Sequence, residues 1–396
     1  MEVYPFLQHF FVKRSLPAAF VLQEALGENI LAIAKRAGNK QIRVASKSVR
    51  IPAVLEQLLS HGPPYQGLMT YSPSETVFLS EMGFDDLLMA YPTMDAYVLR
   101  KLAERVIQGG LIRLMFDLPG HLDLYQEVAK EAGCTFRVCM DIDLSYRLPG
   151  LHFGVHRSSI TSVQAALERA HYLRKQCPNL VLDAVMGYEA QIAGVGDRTP
   201  GQSLKNFAIR FLKQRSIPKL RKRRARVVTA LRQEGFSIEL VNGGGTGSIE
   251  STRQEEVVTE ITAGSGFFSS GLFDNYSGFR HQPAAGYAVE ITRNPQPGLY
   301  TASGGGYPAS GAIAPDKAPK IWLPQGASLT ANEGAGEVQT PFTYKANEHL
   351  RLGDPLILRH AKAGELFERF NYAWLIQPEG TGEKLPTYRG LGKHFL

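Results

Sequence analysis

The sequence predicts an α/β protein, an N-terminal (β/α)8 TIM barrel followed by a C-terminal all-β domain. Two observations carry this reading. Eight short apolar, β-branched runs alternate with helical periodicity, and the composition changes abruptly near residue 263. A third observation concerns chemistry: a lysine ends the first run, and a glycine run follows the seventh.

The apolar runs are "IRVAS" (42–46), "GLMTY" (67–71), "DLLMAY" (86–91), "IRLMFD" (112–117), "FRVCMDID" (136–143), "LVLDAVMGY" (180–188), "SIELVNGG" (237–244) and "VVTEITAG" (257–264). Continuous apolar runs of this length suit parallel strands that are buried on both faces. Between them, "PAVLEQLLSHG" and "SVQAALERAHYLRKQ" place apolar residues at i, i+3, i+4 and i+7, as one buried helix face requires. Eight strand-then-helix units over roughly 220 residues fit a closed barrel. A doubly wound open sheet alternates in the same way, so the number of units is what favours closure.

Beyond residue 263, Gly, Ser, Pro and aromatic residues dominate, as in "GSGFFSSGLFDNYSGF" and "ASGGGYPASG". Strand-like pieces such as "GYAVEITRN", "KIWLP", "GDPLILRH" and "NYAWLIQ" lie between turn signals. The expected organisation is a barrel over 15–262, with 1–14 and 263–396 forming the β-strand domain. The opening "VYPFLQHFFVKR" is assigned to the β domain and "QEALGENILAIAKRAG" to the first barrel helix.

Composition narrows the function. The 396 residues are 44% hydrophobic and 20% charged, ordinary for a soluble globular chain. No run of apolar residues is long enough to span a bilayer, so no membrane partner is expected. Cys134, Cys139 and Cys177 form neither a disulfide framework nor a CxxC pattern, and a cytoplasmic, reduced location is expected. The net charge of +7 is concentrated in "KQRSIPKLRKRRAR" (213–226). No aromatics interleave with these charges, so the run reads as a solvated helix face rather than a nucleic-acid groove.

In a barrel of this kind the active site lies at the C-terminal ends of the strands, with phosphate commonly bound after the seventh and eighth. Lys47 closes the first run, and "NGGGTGS" (242–248) follows the seventh. Consecutive glycines let the backbone approach an anion, and successive N–H groups make an anion nest. Gly243, Gly244, Gly245, Thr246 and Gly247 are therefore candidate phosphate ligands, with Ser248 beside them. Lys47 near such a phosphate suggests covalent attachment of a carbonyl cofactor, because desolvation and cationic neighbours make an amine nucleophilic. Strand alternation places Arg43 on the same face as Lys47. Pyridoxal 5'-phosphate fits this chemistry. Tyr188 ends the sixth run and is expected to pack beside the cofactor.

These segments resemble the fold type III pyridoxal-phosphate enzymes of the alanine racemase type, in particular their D-threonine aldolase and D-serine dehydratase branch. "RVASK" is similar to that branch's R-x-H-x-K motif, with Ala45 in place of histidine, which implies Lys47 as the Schiff-base residue. "MDIDLSYRLPGLHFGVHRS" resembles the segment that implies Asp141, Asp143 and Arg157 on the cofactor side. "GYEAQ" resembles a Tyr-Glu-Gly-His stretch with Gln191 as the last residue, and "VNGGGTGS" and "TEITAGSGFF" resemble the phosphate-binding segments. The resemblance spans nearly the whole chain. It implies a pyridoxal-phosphate-dependent lyase acting on a D- or β-hydroxy-amino acid, by retro-aldol cleavage or dehydration, and working as a homodimer.

Near the C-terminus the chain departs from that pattern. The branch places a histidine and, two residues on, a second ligand for a divalent metal. "GDPLILRHAKAGELFERF" keeps His360 but carries Lys362 at the second position, and "EGAGEVQTP" stands where a histidine-rich stretch is usual. An ammonium cannot ligate a metal, so no metal ligand set is expected, with Glu365 a poor substitute. Lys362 is instead expected to supply positive charge there. The implied catalytic set is thus Lys47, Arg157, His360 and Lys362.

Two alternatives stay open. A racemase needs a second acid, for which Tyr276 or Tyr307, the latter within "SGGGYPASG", is available from a partner subunit. A non-catalytic pyridoxal-phosphate homeostasis protein is a single barrel, and the extra segment 263–396 counts against it. His156, beside Arg157, reads as a loop residue or a supporting group, and His152 and His121 as surface residues.

Overall fold

The computed structural model describes residues 2–312, 314–345 and 350–396. All eight apolar runs are strands of one closed parallel barrel: Gln41–Ala45, Tyr65–Thr70, Leu87–Met89, Ile112–Phe116, Phe136–Asp141, Leu180–Gly187, Leu240–Gly243 and Glu260–Ala263. Neighbours in sequence are neighbours in space, and the eighth strand closes on the first with Ile261 opposite Ile42. Ile112–Phe116 is buried at every position, as a strand covered on both faces must be. The connecting helices start where the side chains dictate: Ser72, Asp95 and Ser162 each accept a bond from the backbone N–H three residues on.

Among the described residues a nine-stranded sheet forms the second domain. Its strand Ala18–Leu22 pairs antiparallel with Ala285–Gln296 and parallel with Tyr372–Ile376. Ala18–Leu22, within the span read as barrel, is thus by its pairing a strand of this sheet. "AAFVL" is short and apolar on both faces, so it fits a central strand of either domain, and only the pairing assigns it. The opening segment is the helix Val3–Phe11, whose Leu7, Phe10 and Phe11 pack on Phe20, Ile357 and Ile376 of this sheet.

Two further departures matter. The helix Ser203–Gln233 runs through the basic segment and Pro218. It is not a uniformly solvated face: Arg224 is fully buried, paired with Glu189 at 2.7 Å and Glu255 at 2.6 Å, and Lys213 meets Asp197 at 3.3 Å. Second, Arg43 does not face the barrel mouth. Its guanidinium binds Glu260 at 2.6 Å and Asp86 at 3.0 Å, and Arg113 joins Asp86 (3.0 Å) to Asp183 (3.1 Å) in the same buried ionic layer. Met115 and Cys139 lie two residues farther along the strands that carry Arg113 and Arg137, and with Leu88 and Met186 they form an apolar layer on the mouth side. Arg43 is fully buried outside the lining of the cavity at this mouth and reaches that lining only through Glu260, which accepts a bond from the lining residue Asn242 at 2.7 Å. The strand ends at Ala45, and Lys47 sits in a one-turn 3-10 helix, Ser46–Ser48, so alternation does not carry from one residue to the other.

Candidate active site

A cavity of about 1030 Å³ opens at the C-terminal ends of the barrel strands, and both domains wall it. It brings together Lys47, Arg157, Tyr188, Gly244, Gly245, Thr246 and Lys362 from the sequence-derived set. Arg43, Gly243, Gly247 and His360 are not in its lining.

The turn that carries Lys47 is held from both domains. Arg50 takes φ 58°, a left-handed conformation that is strained for an arginine. From there its Nε donates to the Lys47 carbonyl at 3.0 Å, and its Nη1 pairs with Glu368 at 2.6 Å. On the barrel side Ser46 donates to the Met69 carbonyl at 3.0 Å. Glu75, fully buried beneath the turn, accepts from the Tyr71 amide at 2.7 Å and the Tyr388 hydroxyl at 2.9 Å. Burial outweighs these bonds and pushes the Glu75 carboxyl up to about 7.

Tyr91 was not selected from the sequence, although it ends the third apolar run and so occupies the end of a barrel strand. The Arg157 guanidinium lies 4.7 Å from its ring centre and the Lys47 ammonium 5.9 Å. Burial pushes the phenol up, but these two cations prevail and hold it below its ordinary value. Arg157 is fixed by Asp141 at 2.6 Å and by the Ala90 carbonyl. Burial, despite Arg157, raises Asp141 to about 6, and its Oδ1 has no partner among the described residues. Asp143 instead holds Ser145 and Arg147 away from the cavity. Gln191 is buried against the Leu144 carbonyl at 2.8 Å. His156 stacks on His152 with centroids 4.1 Å apart.

The glycine loop is set by close packing. A Cβ on Gly244 (φ 81°) would lie 2.9 Å from Ile261 Cγ2, and one on Gly245 would lie 2.9 Å from Ala193 Cβ. Gly243 packs on Arg224 and Gly247 on Ala193 and Tyr276, so these two support the loop from behind. Arg36 donates to the Thr246 carbonyl at 2.7 Å while paired with Glu250 at 2.6 Å. Thr246 Oγ1 accepts from the Gly266 amide at 3.1 Å, tying the loop to the segment after the eighth strand. The result is a braced loop of glycine backbone and the Thr246 side chain, facing the same cavity as Lys47.

On the β-domain wall, the Lys362 ammonium donates to Ser310 Oγ at 2.6 Å and lies 3.6 Å from Glu365. Glu365 also accepts from the Ser310 amide at 2.7 Å. The His360 ring turns its Nδ1 to the Lys362 backbone (2.7 Å to the carbonyl) and leaves Nε2 buried without a partner among the described residues. Among the described residues no three His, Cys, Asp or Glu side chains converge on a metal position. This wall therefore presents one imidazole nitrogen beside a Lys362–Glu365 ion pair. Tyr276 donates its hydroxyl to the Ala193 carbonyl at 2.8 Å, while Tyr307 lines this chain's own cavity, with its ring on Tyr287 and Phe370.

A parallel barrel whose mouth is covered by a sheet domain, with a lysine after the first strand and a glycine cradle after the seventh, defines the alanine racemase-like fold. The chain superposes on D-threonine aldolase from Filomicrobium marinum with TM-score 0.80, at 18% identity over 96% of both chains. It superposes on D-threo-3-hydroxyaspartate dehydratase from Delftia sp. HT23 with TM-score 0.75, at 18% identity over 95% of this chain and 98% of that one. Alanine racemase from Clostridium difficile 630 gives 0.65, at 13% identity over 95% and 100%. No protein-family model matches the sequence, and no curated protein matches it. Among the described residues no helix is long and apolar enough to cross a membrane.

Proposed function

We propose that this protein is a pyridoxal-phosphate-dependent lyase acting on a D- or β-hydroxy-amino acid, with Lys47 as the residue that carries the cofactor. The observation that bears most weight is that Lys47 and the Gly244–Thr246 cradle line one cavity of about 1030 Å³. The loop suits a phosphate because glycines at 244 and 245, where a Cβ would collide with Ile261 and Ala193, leave backbone at the cavity wall, and that backbone is held by Arg36 and Ser248. When bound, pyridoxal phosphate draws the electrons of a bond broken at the amino acid's Cα into its ring.

The chain's own groups supply the rest. Lys47 would hold the cofactor, and its Nζ on the cavity wall is the atom that would take up and return a proton. Tyr91, held between Lys47 and Arg157, is a phenol that gives up its proton more readily than an ordinary tyrosine. Arg157, fixed by Asp141, presents positive charge to the same wall. Tyr307, Ser310 and Lys362 line the cavity from the β domain. Lys362 supplies positive charge where an anionic or hydroxyl group of the substrate would lie.

The racemase alternative rests on Tyr307, since the Tyr276 hydroxyl is engaged by Ala193. The carrier alternative does not require the β-domain wall. A homodimer is part of the proposal and is checked by light scattering. The central test is optical: added pyridoxal phosphate should give a visible absorption band that Lys47→Ala abolishes. A protein that stays colourless with added cofactor would sink the reading. Incubating the coloured protein with D- and L-β-hydroxy-amino acids then separates the reactions, since aldehyde plus glycine means aldolase, oxoacid plus ammonia means dehydratase, and inversion alone means racemase.

A further inference from the structure

The long helix Ser203–Gln233 has a face that the candidate active site leaves unused. Its inner side is settled, since Lys213, Ser216, Leu220 and Arg224 recur every three or four residues and are buried. On the opposite side Leu204, Phe207 and Phe211 stand 88%, 66% and 48% exposed, again at spacings of three and four. The same spacing continues through Arg215, Lys219, Lys222 and Arg226, all of them exposed. One solvent face is therefore apolar over its first turns and cationic beyond, along about 33 Å of helix.

The charge on this face is not spent within the fold. The helix holds eleven Lys and Arg and no Asp or Glu in its 31 residues. The acids that reach it meet the inner side: Asp197 pairs with Lys213, and Glu189 and Glu255 pair with Arg224. Among the described residues no carboxylate pairs with Arg215, Lys219, Lys222 or Arg226. The Arg215 guanidinium lies 5.2 Å from the ring of Phe211, and the Lys219 ammonium 4.8 Å from the ring of Tyr146. Tyr146 opens a short hairpin, Tyr146–Leu148 with Leu151–Phe153, whose tip partners Leu148 and Leu151 are also exposed. Apolar side chains from two elements thus accompany the cationic stretch.

A contiguous exposed apolar patch marks an interaction surface, and cations beside it narrow the partner. An anionic bilayer matches both features at once: apolar side chains enter between the headgroups while Lys and Arg meet the lipid phosphates. Nucleic acid would leave Leu204, the most exposed of the three, unused, because bases stack on aromatic rings. We propose that the solvent face of Ser203–Gln233, with the Leu148–Leu151 hairpin tip, docks the protein peripherally on an anionic phospholipid membrane. Docking of this kind lies on a bilayer and needs no helix that crosses one. It goes beyond the lyase reading and does not depend on it.

The test uses the full-length protein and phosphatidylcholine vesicles, with and without phosphatidylglycerol, read by cosedimentation. Binding to the anionic vesicles should be at least about tenfold tighter than to the neutral ones and should weaken as salt is raised. The combined variant Arg215→Gln, Lys219→Gln, Lys222→Gln and Arg226→Gln should bind at least about 100-fold more weakly. The combined variant Leu204→Ser, Phe207→Ser and Phe211→Ser should lose roughly 10- to 100-fold and keep its salt dependence. Both change exposed residues only, so thermal unfolding should match the wild type; Phe207→Ser alone serves if the triple variant unfolds. No binding to anionic vesicles, equal binding to neutral ones, or undiminished binding by either folded variant overturns the proposal. A wild-type dimer that the serine variant splits, without vesicle binding by either, makes the face a subunit interface and overturns it as well. Capture of duplex DNA in the absence of vesicle binding does the same.

Discussion

Arg50 bridges Lys47 and Glu368: its Nε donates to the lysine's own carbonyl at 3.0 Å while its Nη1 meets the glutamate at 2.6 Å. Glu368 belongs to the β domain, so the turn that presents the lysine is set by the domain that covers it. The strained φ of 58° at Arg50 is the local cost of this reach.

Glu368→Gln should therefore act on catalysis as well as stability. The pair is nearly buried, with side chains 5% and 13% exposed, and removing one partner of such a pair costs ~3–5 kcal/mol. Displacing the Lys47 turn should also lower kcat roughly 10- to 100-fold while the cofactor band persists. Denaturant unfolding and steady-state kinetics check this together; lost stability with unchanged kcat would mean that the pair is structural only.

The cradle can be displaced without touching a charge. Gly245→Ala sets a Cβ 2.9 Å from Ala193 Cβ and 3.3 Å from Tyr188 Cε2. Overpacking of this kind costs about 1–3 kcal/mol, and the displaced loop should weaken pyridoxal-phosphate affinity at least about tenfold. Gly27→Ala is the control: it lies in the helix Gln23–Ala37 with nothing within 4 Å, and should stabilise by about 1 kcal/mol with affinity unchanged. Cofactor titration of both variants reads the difference.

Arg43→Met tests the correction made by the fold. Glu260 and Asp86 would lose their shared partner inside the barrel, a loss of ~3–5 kcal/mol. Protein that remains folded should bind pyridoxal phosphate as the wild type does. Loss of cofactor affinity in a well-folded Arg43→Met would return Arg43 to the cofactor site.

Glu75 makes stability depend on pH in a stated direction. Its folded value of about 7 lies above the ordinary 4.5, so between these values the folded state holds more protons than the unfolded one. Its contribution to stability therefore falls as pH rises through that window, by up to ~3 kcal/mol, and is lowest above pH 7. Glu75→Gln removes this ionisation, so the wild-type decline between pH 5 and 8 should flatten in the variant. Thermal unfolding of both proteins across that range is the check, and parallel pH profiles would refute the assignment.

The architecture was legible because burial on both faces writes itself into a strand as an unbroken apolar run, and eight such runs became eight barrel strands. Lys47, Tyr188 and the Gly244–Thr246 loop could be placed around one mouth because a barrel gathers its strand ends and the loops after them, whereas Arg157 came only from the family resemblance. Tyr91 ended one of those runs and was passed over, since a single aromatic at a strand end is indistinguishable from core until its neighbours are known.

Other features depended on long-range geometry. Ala18–Leu22 suited either domain until pairing with Ala285–Gln296 and Tyr372–Ile376 assigned it. The basic run resembled a solvated face until Arg224 met Glu189 and Glu255, residues distant in sequence. Arg43 and Lys47, four positions apart, shared a face only if the strand continued, and it stops at Ala45. By itself the sequence determined the barrel, the lysine and the glycine loop, because periodicity and residue chemistry are local. Which charges cancel, and which are left to face the cavity, was decided by the tertiary structure alone, because a charge is defined by neighbours that only folding brings within a few ångströms.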